Sequence, residues 1–307
     1  MLTYTSSNDV SFSAKLQGYV QILKFRLSFL VAFSGAMAFI VASQSVNYLS
    51  LFLFVFGGFL VTTSANIINQ ISEVEFDKLM KRTKDRPLPT GVLNKKEAAI
   101  YSLILGSLGL AIHYFYLNPL TALLSLISLL LYGFAYTPLK RVGPIAVFVG
   151  AFPGALPPLI GWVACTGSIL GTSSTGELEI MGLILFGIQF IWQFPHFWAI
   201  AWVGDEDYQA AGFKLLPNKG GRNLSTAFNI MIYTLYLIPL SLLPHYFGVT
   251  GITSAVVVTI AGVLFLVQTF QLMRTCDKAA ALKMMFGSFF YLPIVQIAFV
   301  LDVIDKV

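Results

Sequence analysis

Charged side chains in this chain fall in clumps, and between them lie uncharged, mostly apolar stretches. These run 46 residues from Leu27 to Ser72, 42 from Ala98 to Leu139, 35 from Val142 to Gly176, 25 from Ile180 to Gly204, 51 from Asn223 to Met273 and 18 from Met284 to Leu301. A helix crosses about 30 Å of hydrocarbon with roughly 20 residues at about 1.5 Å each, so the three longest stretches read as helix pairs. Each pair has a polar or helix-breaking turn near its middle: Gln44 to Asn47, Asn118-Pro119, and Pro244-His245 through Gly248. The pattern predicts nine spans, near 24–44, 48–72, 97–117, 119–137, 143–164, 180–203, 225–244, 250–272 and 283–302. Continuous apolar runs without period-two alternation make helices the default over a β-barrel. The expected class is therefore an all-α integral membrane protein, one polytopic domain over 1–307 with a short tail at 1–14.

Orientation follows from the basic residues, which are retained on the cytoplasmic side. With the N-terminus cytoplasmic, 18 of the 19 Lys and Arg residues fall inside and only Lys306 outside. The composition agrees: 57% hydrophobic against 11% charged residues lies far outside the soluble range. The net charge of +5 is explained by juxtamembrane Lys and Arg favouring anionic lipid headgroups, with no need for nucleic acid. Cys165 and Cys276 fall near opposite faces, so no disulfide is expected. The first thirteen residues lack the apolar core of a signal peptide, so the first span is expected to act as an uncleaved signal in a bacterial cytoplasmic (inner) membrane.

The candidate chemistry lies in the inner connections, near 73–96 and 204–224. Asn69, Glu73 and Asp77 are spaced four apart, so on a helix they line one stripe, with Glu75 turned away. Oxygen ligands stacked at a membrane surface suit Mg²⁺, which takes one or two carboxylates and completes its shell with water and substrate phosphates. Lys78, Lys81, Arg82, Lys84 and Arg86 follow at once, and guanidinium forks match phosphate oxygens. Solvated charges on a positive-inside loop are the plain alternative. Against it, the acids occupy the end of an apolar helix, where ionisable groups are expensive, and Arg86-Pro87-Leu88-Pro89-Thr90-Gly91 reads as a constrained turn.

Here the chain resembles the UbiA prenyltransferase superfamily and, within it, the protoheme IX farnesyltransferase (haem O synthase) branch. The family's first motif, N-x-x-x-D-x-x-x-D followed by M-x-R-T-x-x-R-P-L, falls on Asn69, Glu73, Asp77, Met80, Arg82, Thr83, Arg86, Pro87 and Leu88, with Glu73 in place of the usual aspartate. Tyr136 to Arg141, YTPLKR, resembles the family's Y-T-x-x-L-K-R segment with one residue fewer between Thr and Leu, and the resemblance puts Lys140 and Arg141 near the diphosphate; lipid anchoring is their simpler reading. Trp192 to Trp198, WQFPHFW, followed by Asp207-Tyr208, resembles the signature of the haem-farnesylating branch. His196 sits near an acid position of quinone-type relatives, where an imidazole suits haem iron, a propionate or a proton relay; a packed, hydrogen-bonded histidine is the alternative. Asp205, Glu206 and Asp207 form an acidic turn that completes a second metal site or is merely solvated. His113 and His245 match no motif and read as interfacial packing.

The resemblance implies a nine-helix UbiA-like bundle with a central cavity capped by the two inner loops. It implies Mg²⁺ held by Asn69, Glu73, Asp77 and Asp207; a diphosphate bound by Arg82, Arg86, Lys140 and Arg141; and catalytic roles for Asp77, His196 and Asp207. Farnesyl diphosphate would be the donor and haem B the acceptor, a substrate rather than a cofactor. The product, haem O, would serve haem-copper terminal oxidase assembly, with a haem A synthase as the partner this suggests. Two rivals are a UbiA-type enzyme acting on a quinone or tetrapyrrole precursor, and a secondary transporter, whose Pro- and Gly-broken helices these spans share.

Overall fold

The computed structural model describes residues 11–172, 178–217 and 221–303. Lys219, Lys306 and the first ten residues of the expected tail lie outside the described residues. The helices are α1 (Phe12–Ile22), α2 (Phe25–Ala42), α3 (Tyr48–Asp77), α4 (Lys95–Ile112), α5 (Pro119–Leu130), α6 (Thr137–Leu139), α7 (Ile145–Thr166), α8 (Met181–Val203), α9 (Asp205–Ala210), α10 (Leu224–Tyr246), α11 (Ile252–Thr275) and α12 (Lys278–Leu301). A two-residue antiparallel pair, Gly171–Thr172 with Leu178–Glu179, links α7 to α8. Among the described residues, nine helical segments are long and apolar enough to cross a membrane, as the hydropathy pattern predicts. The first begins earlier than expected: residues 12–14 are the first turn of α1 rather than tail, capped by the Ser11 side chain. Hydropathy alone misses α1 because Lys15, Gln17 and Gln21 interrupt its apolar face.

Contacts between helices place α2, α7 and α8 at the centre, with α3 to α5 on one flank and α10 to α12 on the other. Burial follows that order, falling from 72% of the most apolar window in α7 to 28% in α11. Small residues make the central crossing possible. A Cβ on Gly161 would overlap the carbonyl oxygen of Gly35, so α2 and α7 touch backbone to backbone. Three prolines lie inside α7. Pro157 and Pro158 lack the N–H groups that would bond the carbonyls of Pro153 and Gly154 four residues earlier. Side chains from neighbouring helices make up the loss: Ser128 Oγ donates to Pro153 O at 3.3 Å, and the amides of Gln189 and Gln193 donate to Gly154 O at 2.7 and 2.8 Å. In hydrocarbon each unsatisfied carbonyl costs several kcal/mol, so these bonds are what permit a proline-broken helix at the bundle centre. Ser34, Gln189 and Gln296 extend the network across α2, α8 and α12, with Ser34 donating to Gln189 at 2.6 Å and Gln296 donating to Ser34 at 2.7 Å.

Two small internal cavities flank this crossing, at the depth of the proline pair. The larger is lined by Gly35, Phe54, Thr62, His113, Ser125 and Pro157 among others. His113 is packed, as the sequence leads one to expect, and the packing is inside the bundle. It is 1% exposed, with Nδ1 2.8 Å from Ser125 Oγ and the other ring nitrogen 3.1 Å from Phe54 O. The helix widens into a π-turn over His113–Leu117, and a π-turn re-aims side chains relative to an α-helical register. His245 is exposed, with Nδ1 3.1 Å from Thr250 O. Cys165 and Cys276 are both free, Cys165 lying 3.2 Å from Ser43 Oγ.

Candidate active site

At 30 residues, α3 is about 45 Å long, well beyond the hydrocarbon thickness. Its last turns therefore extend past the apolar layer, and they carry the acidic stripe. Asn69, Glu73 and Asp77 are buried at 2%, 4% and 0% exposure. Glu75 points away, as the spacing predicts, and pairs with Lys78 at 2.9 Å. The chain after Asp77 does not leave as a tether. Successive turns bring Met80, Thr83, Leu88 and Leu93 into the interior, Thr83 Oγ1 donates to Asp77 O at 3.0 Å, and Gly91 supplies the positive φ of +80° that ends the loop.

That fold returns Arg86 to the stripe. Its Nη1 donates to both Asp77 oxygens, at 3.0 and 2.8 Å. From the other side the short helix α6 delivers Lys140, whose Nζ lies 2.9 Å from Glu73 Oε1. Burial, the largest single effect, acts to lower the Lys140 pKa, but the Glu73 carboxylate together with Tyr132 and Tyr208 outweighs it, and the group titrates above the usual lysine value. Glu73 Oε1 nevertheless lacks an aligned hydrogen-bond donor. The Asn69 amide nitrogen donates to Thr137 Oγ1 at 3.1 Å, which orients the side chain while its Oδ1 takes no donor among the described residues. Thr137 escaped the sequence reading because a buried hydroxyl at the end of an apolar helix carries no distinguishing signal.

Asp207 and Arg82 meet elsewhere on the same face. The Asp207 carboxylate accepts from the backbone N–H groups of Lys81 and Arg82 at 3.3 and 3.2 Å, so α9 is latched onto the loop after α3. Arg82 donates to Tyr208 Oη at 3.1 Å and lies over its ring at 5.4 Å. The Tyr208 oxygen, and then Asp207, raise the guanidinium's pKa against the opposing effect of burial. Phe76 and Phe213 pack at 5.2 Å beneath the latch. Asp205 and Glu206 serve the other edge of α9, where Arg222 reaches them at 3.4 and 3.3 Å and also donates to Trp202 O. Burial pushes the Asp205 carboxyl up, with Arg222 opposing. Arg141 donates to Ser72 O at 3.0 Å and covers the Phe76 ring.

His196 sits on the far side of α8, against α12. Its Nδ1 is 2.8 Å from Ser288 Oγ, and its ring stacks on Trp192 at 4.2 Å. Trp192 in turn donates to Ser288 O. The other ring nitrogen has no partner among the described residues.

The structure thus brings Asn69, Glu73, Asp77, Arg86 and Lys140 into one buried cluster, with Asp207 and Arg82 joined at its rim. Among the described residues no three His, Cys, Asp or Glu side chains converge as a metal site: the stripe supplies two carboxylates, and Asp207 is held by the backbone of Lys81 and Arg82. The donor chemistry still fits Mg²⁺: an amide oxygen and two carboxylates on successive turns, one carboxylate oxygen and the amide oxygen without a donor. A buried acid stripe balanced by basic side chains can exchange partners with a ligand that brings both a metal ion and phosphate oxygens.

The chain matches the UbiA prenyltransferase family over residues 28–292. It is 56% identical to a protoheme IX farnesyltransferase of Cytophaga hutchinsonii over 294 residues, covering 94% of this chain and 99% of that one. Among solved structures it resembles digeranylgeranylglyceryl phosphate synthase, with a TM-score of 0.75 at 23% identity, covering 94% of this chain and 98% of that one. It also resembles a UbiA homologue from Archaeoglobus fulgidus bound to GPP and Mg²⁺, with a TM-score of 0.62 at 14% identity, covering 92% of this chain and 99% of that one.

Proposed function

Because the chain belongs to the UbiA prenyltransferase family, we propose that it transfers the farnesyl group of farnesyl diphosphate to a vinyl group of haem B, giving haem O for haem-copper terminal oxidase assembly. The acceptor is supported by the identity to a protoheme IX farnesyltransferase over nearly the full length of both chains and by the WQFPHFW segment of α8. A quinone-prenylating enzyme would share the Asn69 to Arg86 arrangement but has no need of that segment. The secondary transporter is disfavoured because its ionisable groups belong near the midplane, whereas these cluster at one end of α3.

The observation that carries the proposal is the pairing of Glu73 with Lys140 and of Asp77 with Arg86 in a buried site. Asn69, Glu73, Asp77 and Asp207 would hold Mg²⁺, which when bound neutralises charge on the diphosphate. Once the carboxylates face a metal ion, Arg86 and Lys140 are free to turn to phosphate oxygens, with Arg82 and Arg141 at the rim. As the allylic C–O bond breaks, its electron pair leaves with the diphosphate, and these cations act where that charge builds. The farnesyl cation adds to the terminal vinyl carbon of haem B. Water then captures the resulting cation at the adjacent carbon and loses a proton, leaving a hydroxyethylfarnesyl substituent. His196, held through Nδ1 by Ser288, would present its other nitrogen to the haem. The lopsided basic residues, 18 of 19 on one side, support a site facing the cytoplasm from a bacterial inner membrane, and the product suggests a haem A synthase as partner.

The test is to incubate the purified protein with haem B, farnesyl diphosphate and Mg²⁺ and to separate extracted haems by mass. Haem O is expected, dependent on both the donor and the metal. Unchanged haem B would refute the assignment.

A further inference from the structure

Lys24 joins α1 to α2 and has no role in the mechanism above. Its backbone is left-handed, with φ 47° and ψ 50°, and it is the N-cap of α2 without any side-chain capping bond. A residue with a Cβ adopts this conformation at a cost, and a cation at the positive pole of a helix adds to it. Such conflicts persist where the surroundings over-determine them, most often at functional sites.

Here the surroundings are the acid-bearing turns of α3. Gln70, adjacent to Asn69, donates to Ile22 O at 3.0 Å, and Asn66 donates to Ser28 Oγ at 3.3 Å. Ser28 Oγ also donates to Leu23 O, so the chain is tied to α3 on both sides of Lys24. Ile22 is fully buried with Ile67 and Val74, which closes the junction against the stripe. The Lys24 side chain is half-buried and lies within electrostatic reach of Glu73, Asp77, Arg86 and Lys140. Yet its ammonium makes no hydrogen bond or ion pair among the described residues. Glu73 and Asp77 are matched one to one by Lys140 and Arg86, which leaves Lys24 as a cation beside the stripe with no acid of its own among the described residues. A half-buried cation with no hydrogen bond or ion pair among the described residues is free to meet an anion, and a diphosphate ester keeps net negative charge even with one divalent ion bound.

We propose that Lys24 is a further diphosphate-binding residue, held at the buried stripe by its left-handed junction so that its ammonium meets phosphate oxygens opposite Arg86 and Lys140. This rests on the prenyl-transfer reading above. Three variants of the full-length protein separate charge from backbone: Lys24→Met removes the ammonium, Lys24→Gly removes it and relieves the left-handed strain, and Lys24→Arg keeps a cation. Calorimetric titration with Mg²⁺-pyrophosphate should show affinity falling roughly ten- to hundred-fold for Met and Gly, the range for a lost charge-assisted hydrogen bond, and largely kept for Arg. Haem B affinity, followed by its absorbance, should stay at the wild-type value. Unchanged pyrophosphate affinity in both Met and Gly overturns the inference, as does a loss confined to haem B, which would assign Lys24 to a propionate. Recovery in Gly but not Met also overturns it, since the residue would then matter only for backbone shape. Wild-type protein that fails to bind Mg²⁺-pyrophosphate at all would instead refute the function on which the inference depends.

Discussion

Asp77 is fully buried and its two oxygens share one guanidinium nitrogen of Arg86, so its removal has two consequences of different origin. Asp77→Ala should abolish haem O formation, because the metal and diphosphate lose a ligand. It should also lower thermal stability by about 1–3 kcal/mol, because Arg86 is left as a half-buried, unpaired charge. The double variant Asp77→Ala, Arg86→Met separates the two: its melting temperature in detergent should recover much of the loss while activity stays absent. Full activity in Asp77→Ala would refute the metal assignment. His196 calls for a different readout. Held by Ser288 and stacked on Trp192, it lies against α12 and contacts none of the acids. His196→Ala should therefore weaken haem B binding in an absorbance titration and leave Mg²⁺-pyrophosphate affinity unchanged; a loss of pyrophosphate affinity alone would mean the assignment to haem is wrong. The residues themselves were largely legible in the sequence, since a four-residue spacing places Asn69, Glu73 and Asp77 on one stripe whatever the tertiary structure. Their partners were not. Lys140 is 67 positions from Glu73, and nothing in a linear pattern distinguishes a lysine that reaches a buried carboxylate from one that anchors a lipid headgroup.

The same division holds for whole helices. Runs of apolar residues set off by charge gave the spans to within a few positions, because the cost of burying backbone and charge in hydrocarbon leaves few alternatives. Features that depend on a neighbour were invisible: α1, whose apolar face is interrupted by polar residues; the π-turns at His113–Leu117 and Leu131–Tyr136; and the latch between α9 and the loop after α3. The glycines and prolines of α7 fall between these cases. Their presence signals close packing, but which carbonyls they free and which amides answer them is a property of α8. Gly161 offers a sharp test. Any Cβ there overlaps the Gly35 carbonyl oxygen, and neither backbone can yield without separating α2 from α7. Gly161→Ala should lower the melting temperature by an amount corresponding to about 1–3 kcal/mol or more. Gly187→Ala, where a Cβ meets nothing within 4 Å, should be nearly neutral. Equal melting temperatures for the two variants would contradict the backbone contact.

At the scale of the molecule, both candidate loops, α6 and the Lys24 junction lie at one end of the bundle, and that end carries the basic residues. Substrate supply makes this arrangement consequential. A site at the membrane surface can take a charged diphosphate from water and an apolar tail or haem from the bilayer, and the buried glutamine network at the middle of α8 leaves the opposite end without comparable chemistry. The orientation is therefore part of the function, and it can be measured directly. In protein with Cys165 and Cys276 replaced by alanine, single cysteines are introduced at Lys84, exposed on the loop after α3, and at Tyr246, 81% exposed at the other end of α10. A membrane-impermeant maleimide added to intact spheroplasts should label Tyr246→Cys and spare Lys84→Cys until the membrane is permeabilised. The reverse pattern would place the acids on the outer side, away from a cytoplasmic supply of farnesyl diphosphate. The basic residues would then lie outside, against the usual retention of Lys and Arg on the cytoplasmic side, and the reading of orientation from charge would fall with them.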